Sequence, residues 1–324
     1  MNPLQLKRIC DRASRNLVWR DGSHAINVGA IGLSKFIDVD RLASLAEAVQ
    51  REGAVVVSFA SQEYLELAFE WAKAIRRCNV SNYLVVCGDA PTHDVLEARG
   101  IPVIRAHIDT GGMPDDFRSQ NNYSARGLAM MALKLPAVDA ILSRGLNVVL
   151  SDIDALWRHD PFPFLSDDVD LAFQRVVYLP PAVVECWGFS LCNGFVYFRS
   201  SPATRTFLQD CLRWHAEVVS EQVATNLAFI CSDMKWDFPE GYDREYPLVQ
   251  EKAKAQFIAL AGNSFRGVSA VSGLRALALP ADRFWRHPFV APRDMVICHP
   301  NSSRVAEEKL ETLNHWMALA EQAG

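Results

Sequence analysis

The chain has 324 residues, half of them hydrophobic and 22% charged, with a formal net charge of −5. This is the balance of a globular protein with ample material for a core, and its acidity argues against a general nucleic-acid binder. No apolar run reaches the roughly 18 residues of a membrane span, and residues 1–20 lack the apolar centre of a signal peptide.

Residues 1–53 read as a helical N-terminal extension. Asp38 or Asp40 caps a helix through Leu42, Leu45, Ala46 and Val49, and Gly53 ends it. From residue 54 onward, apolar runs alternate with helical periodicity. Strands are expected at 54–59, 83–88 and 102–105, with helices at 62–77 and 91–99 between them. That alternation is the signature of βαβ units on a parallel sheet. A polar, glycine-containing loop covers 107–122, and a helix follows at 123–144 with Pro136 as its expected kink. Further strands fall at 148–150, 169–174, 193–199, 275–279 and 295–299. Helices are expected at 202–219, at 221–230 and from Ser302 to the end; 175–191 and 233–250 read as irregular, aromatic loops. One α/β domain, 54–324, carrying a helical appendage is the simplest reading.

The run 145–161 holds the chemistry. A short apolar strand, Val148-Val149-Leu150, ends in Asp152-x-Asp154. In extended chain, residues i and i+2 share a face. Both carboxylates are therefore expected to point into the crevice at the strand's carboxyl end, where α/β sheets place ligands. Paired carboxylates suit a hard divalent cation that also takes phosphate oxygens. Asp-x-Asp is a common triplet and often only a turn or a helix cap; its position after βαβ units favours function. A strand followed by Asp-x-Asp also begins the dehalogenase-like phosphatases, in which the first Asp, here Asp152, is a nucleophile. Those enzymes place the motif on their first strand, with Thr or Val where this chain has Leu156.

Several segments resemble the nucleotide-diphospho-sugar transferase family, kin of plant and algal arabinosyl-, xylosyl- and galactosyltransferases. The resemblance runs from about Ala54 to Trp316. It is carried by 55–65, by 84–89, by Lys134 and above all by Gly145-x-Asn147-Val-Val-Leu-x-Asp152-x-Asp154-x-x-Trp157-x-x-Asp160-Pro161. Asn193-Gly194-Phe195 resembles the family's Asn-Thr-Gly-Phe with one residue missing or replaced. Glu221-Gln222 with Asn226 resembles Asp-Gln-x-x-x-Asn, and His299 the family's histidine near the C-terminus.

The resemblance implies a GT-A fold, a Rossmann-like mixed sheet flanked by helices. It also implies transfer from a nucleotide-sugar donor, expected to be a UDP-sugar, to a hydroxyl of a protein or glycan acceptor, with retention. Mn²⁺ (or Mg²⁺) is the implied cofactor, with Asp152, Asp154 and His299 as ligands. For Asp152, metal or ribose contact are both open. Ala60, Ser61, Lys134, Asp152, Asn193 and Gly194 are expected at the donor, and Glu221 and Gln222 at the reacting face. Each has a plainer reading: a solvated helix lysine, a turn asparagine, an acid in a helix's first turn, a histidine satisfied before Pro300. Trp187, Trp236 and Trp285 are expected in core or lid packing, with stacking on an acceptor as the alternative. A non-catalytic sugar-binding module is the remaining alternative.

Eight cysteines without a CxxC pair argue against a structural zinc site and favour a reducing, cytosolic setting. A Golgi lumen is the alternative if an anchor has been removed. The sequons at Asn79, Asn122 and Asn301 matter only there.

Overall fold

The computed structural model describes residues 36–108, 124–166, 168–177, 181–216, 220–242, 250–300 and 305–322. Helix α1 (Val39–Val49) starts at Asp38, whose side chain accepts from the Arg41 amide, and buries Leu42, Ala43 and Ala46. Phe36, Ile37, Leu42 and Ala46 join the main core cluster, so α1 is part of the same packed body as the sheet. Strand β1 (Ala54–Ala60) is buried along its whole length. That explains its continuous apolar run, since a parallel strand covered on both faces has no polar side.

Helix α2 (Leu65–Arg77), β2 (Tyr83–Cys87), α3 (Ala90–Ala98) and β3 (Val103–Arg105) complete two βαβ units. Helix α4 (Ala125–Leu142) runs through Pro136. Gly145, at φ +83°, then makes the tight reversal into β4 (Asn147–Ser151) that a side chain would strain. Beyond the short β5 (Leu156–Trp157) come β6 (Leu171–Val176), α5 (Pro181–Trp187), β7 (Ser190–Phe198), α6 (Pro202–His215) and α7 (Glu221–Cys231). The remainder is β8 (Met234–Asp237), α8 (Gln250–Ala259), β9 (Phe265–Ser269), β10 (Arg275–Ala278), β11 (Phe284–Trp285), β12 (Ile297–Cys298) and α9 (Ala306–Gln322).

One nine-stranded sheet has the order β3-β2-β1-β4-β7-β6-β10-β9-β8. Strands β3, β2, β1 and β4 are parallel neighbours; β7 is antiparallel to both β4 and β6. The mixed sheet flanked by helices is the architecture that the resemblance implied. Strand β4 sits between β1 and β7 and is the fourth strand in chain order, not the first. That position disagrees with a dehalogenase-like phosphatase.

Three sequence expectations need correction. The stretch 175–191 is not wholly irregular: it holds the end of β6, helix α5 and the start of β7. The stretch 233–250 contains β8, whose Met234 and Trp236 are buried while Lys235 and Asp237 face out. Four residues are too few for that alternation to stand out against the neighbouring prolines and glycine. The last strand does not join the main sheet. β12 lies between β11 and β5 in a separate three-stranded sheet, antiparallel to β5. Residues 1–35, most of the 107–122 loop, residues 243–249 and the expected helix start at Ser302 lie outside the described residues.

Candidate active site

The end of β4 is fastened before its carboxylates begin. Ser151 is fully buried, and its hydroxyl accepts from both Trp71 Nε1 and Trp157 Nε1 at 3.1 Å. The Asp152 amide donates to the Gly194 carbonyl at 2.8 Å, tying β4 to β7. The Ala155 amide then donates to the Asp152 carbonyl at 2.9 Å. Asp152-Ile153-Asp154 is therefore a turn, not the extended chain expected from the sequence. The carboxylates converge because the backbone folds back, rather than by strand alternation.

His299 follows β12 directly, and its amide donates to the Trp285 carbonyl at 2.9 Å. Its Nε2 lies 3.4 Å from Asp154 Oδ1 and 3.9 Å from Asp152 Oδ2. One ligand atom from each of Asp152, Asp154 and His299 lies within 4.8 Å of the others. The antiparallel β5–β12 pairing makes this possible, because it lays the chain before His299 beside the chain just after Asp154.

Gln174 orients the ring. Its Nε2 donates to the carbonyls of Phe284 and Trp285 at 3.1 and 3.2 Å, and its Oε1 lies 2.9 Å from His299 Nδ1. With Nδ1 donating to Gln174, Nε2 faces the carboxylates, the arrangement by which a second contact fixes a histidine ligand. Arg286 Nη1 lies 2.7 Å from the ring nitrogens. Burial and Arg286 act to lower the basicity of His299, but the Asp154 carboxylate outweighs them and holds it above the usual histidine value. Burial acts to raise Asp154, yet Lys309 and His299 hold it well below the usual carboxylate range.

Lys134 is buried, with its ammonium 2.6 Å from Asp152 Oδ1 and 3.4 Å from Glu221 Oε1. The solvated-lysine reading is thereby excluded. Glu221 opens α7, where Ser220 caps the helix and favours an acid in the first turn. Two buried acceptors here, Glu221 Oε2 and Asn193 Oδ1, have no hydrogen-bond partner among the described residues.

Gln222 is placed differently. Its Oε1 accepts from the Asn193 amide at 2.9 Å, and its Nε2 donates to the Leu191 carbonyl at 2.5 Å. Asn226 braces the same strand, accepting from the Leu191 amide at 2.9 Å. Both side chains hydrogen-bond to β7, and each polar atom of the Gln222 side chain is engaged there. Asn193 Nδ2 in turn donates to Thr225 Oγ1 at 3.1 Å. Gly194 packs directly against His299, whose ring a Cβ would overlap.

Ala60 and Ser61 are buried at the carboxyl end of β1. The next residue, Gln62, lines an open pocket of about 540 Å³ with Gly88, Asp89, Arg105, His107 and Arg126, beyond the ends of the parallel strands. Asp89 caps α3 through the Thr92 amide, accepts from the Gln62 amide at 2.9 Å and pairs with Arg126 at 3.4 Å. Trp187, Trp236 and Trp285 are buried in aromatic packing, as expected.

Sequence reasoning missed Ser151, Gln174, Arg286 and Lys309. Lys309 sits in the run Glu307-Glu308-Lys309, which reads as a solvated helix face, yet it is 5% exposed and paired with Asp154 Oδ2. Nothing local marks it, because its partner lies 155 positions away.

The chain is similar to several known proteins. A β-arabinofuranosyltransferase of Arabidopsis thaliana is 29% identical over 173 residues, 52% of this chain and 31% of that protein. A UDP-D-xylose:L-fucose α-1,3-D-xylosyltransferase of the same plant is 21% identical over 213 residues, 59% of this chain and 53% of its own. The chain thus spans between about a third and a half of these two relatives. Among solved structures, the galactosyltransferase LgtC with donor and acceptor sugar analogues aligns over 54% of this chain and 70% of its own, at 15% identity and TM-score 0.37. Mouse xyloside xylosyltransferase 1 aligns over 54% and 80%, at 10% identity and TM-score 0.33. The family model for nucleotide-diphospho-sugar transferases matches residues 78–313, which takes in every strand from β2 to β12 and the whole carboxylate–histidine cluster, and the chain belongs to that family.

Proposed function

We propose that this chain is a metal-dependent glycosyltransferase that moves a sugar from a UDP-sugar to a hydroxyl of a protein or glycan acceptor, with retention of configuration. The observation that carries the reading is the convergence of Asp152, Asp154 and His299 within 4.8 Å beside two buried acceptors without partners. Two carboxylates and an imidazole are a donor set that fits a divalent ion, and the nitrogen favours Mn²⁺ over Mg²⁺. When bound, such an ion supplies Lewis-acid compensation for the charge on the departing nucleotide diphosphate.

The chain's own groups supply the rest. Asp152, Asp154 and His299 hold the cation site. Lys134 keeps Asp152 and Glu221 together as a buried point charge. Glu221 Oε2 and Asn193 Oδ1 are buried acceptors without partners that hydroxyls of the donor sugar would satisfy, and the Glu221 carboxylate suits positive charge developing at the anomeric carbon. Gln222 acts as a positioning residue for Asn193. The pocket beyond β1–β3, with Arg126 and Arg105 on its wall, is the place for the nucleoside end, next to Ala60 and Ser61. No helix among the described residues is long and apolar enough to cross a membrane. The described cysteines, 78, 87, 186, 192, 211, 231 and 298, are all free thiols, which supports a reducing compartment.

The test is a screen of UDP-sugars with Mn²⁺, following UDP release to water with Asp154→Asn as control. Release that requires Asp154 supports the transferase. Phosphate release from a phosphoester would mark a phosphatase, and donor binding without turnover a sugar-binding module.

A further inference from the structure

The carboxylates of the cluster are already compensated by the protein itself. Lys309, on α9, is 5% exposed, and its ammonium rests on Asp154 Oδ2. Lys134 covers Asp152 Oδ1 at 2.6 Å, and Arg286 lies against His299 at 2.7 Å. By formal charge, Asp152, Asp154 and Glu221 meet the ammoniums of Lys134 and Lys309, and the third cation, Arg286, lies behind His299. A divalent ion entering this cluster does not meet a negative well. It meets a neutral group of charges in which one oxygen of Asp154 is occupied.

The two lysines are not equivalent. Lys134 comes from the buried helix α4 and bridges two carboxylates, so it stays anchored to Glu221 if it gives up Asp152. Among the described residues the Lys309 ammonium has Asp154 as its one partner. It is carried on the last helix of the chain, at the end of a flexible four-carbon stem. Two partly buried carboxylates converging on one point repel each other without a counter-charge, so the protein needs a cation here whenever the divalent ion is absent.

We propose that Lys309 is a placeholder cation: its ammonium neutralises Asp154 in the metal-free chain and withdraws from that oxygen when a divalent ion binds. The inference rests on the metal-site reading above. It makes ion binding an exchange of one cation for another. Affinity for the ion is therefore set by Lys309 as much as by the three ligands.

The experiment is calorimetric titration of the full chain with Mn²⁺, without donor, beside thermal unfolding at increasing Mn²⁺. Lys309→Met removes the competing charge and should tighten Mn²⁺ binding about tenfold, since a like charge within a few Å of the ion is lost. The same variant should melt lower than wild type without Mn²⁺ and gain more from its addition. Lys309→Gln, which keeps a hydrogen-bond donor toward Asp154, should also bind tighter. Lys309→Arg, which keeps the charge, should stay within about threefold of wild type. Unchanged or weaker binding in both neutral variants would overturn the proposal. So would failure of every form to bind Mn²⁺. That second failure leaves the transferase reading to be judged separately, by whether UDP release survives in EDTA.

Discussion

Gly194 and His299 share one volume: the imidazole lies where a side chain on residue 194 would begin. The same Gly194 carbonyl accepts the Asp152 amide at 2.8 Å, so one residue sets the approach of both partners. Gly194→Ala is expected to push the ring off Asp154 and lower donor turnover about 100-fold, the scale of losing one positioned catalytic group. Restored Mn²⁺ affinity and turnover near wild type would show that the close approach is unimportant.

Asp154→Asn keeps the shape of the turn and removes the charge shared by Lys309 and His299. UDP release should fall by about 10³-fold or more. His299→Ala should be milder and partly recovered by excess Mn²⁺, because water can take a vacated position. Asp152→Asn should weaken donor binding more than it weakens the fold. Steady-state kinetics across a Mn²⁺ series separates the three. The Asn variant is the better choice at 154, since truncation to Ala would strand the buried Lys309 ammonium.

Gln174→Leu tests orientation apart from ligation. It removes the contact to His299 Nδ1 and two hydrogen bonds to the chain around β11. Loss of such an outer partner typically costs about 10–100-fold in metal affinity. Mn²⁺ titration of the folded variant is the measurement, and an unchanged affinity would assign Gln174 to the fold alone.

Ser151→Ala should act on stability. It leaves two buried indole N–H groups, those of Trp71 and Trp157, without their shared acceptor. A cost of about 2–4 kcal/mol is expected, read by denaturant unfolding.

His287 sets an acid-side dependence. Burial, helped by the charges of Arg286 and His299, pushes it down to about 3 from an ordinary 6.5, and it packs between Phe257 and Phe289. The unfolded chain therefore takes a proton that the folded chain refuses. Its stabilising contribution is full above about pH 6.5 and is lost progressively as pH falls toward 3, on the order of 5 kcal/mol over that window. His287→Phe should flatten the decline in stability between those limits; an unchanged slope would place the effect on other groups.

The parts of this protein written in short runs were legible without a structure. The apolar strand read at 54–59, the helix capped at Asp38 or Asp40 and the Asp-x-Asp after the strand 148–150 each depend on neighbours a few positions away. Resemblance added His299, Lys134, Asn193, Gly194 and Glu221, and the structure brings these to one place. It could not say that Asp152-Ile153-Asp154 is a turn, that Gln222 is tied to β7, or that His299 arrives on a separate small sheet. Lys309, Gln174 and Ser151 had no local signal at all. Their roles come from partners brought together by packing: Lys309 with Asp154 across 155 positions, Gln174 with His299 across 125, Ser151 with Trp71 across 80. Periodicity and turn chemistry act over a few residues and so can be read along the chain. Charge compensation and hydrogen-bond satisfaction in a buried site are settled between distant segments, and only tertiary structure decides which residues meet.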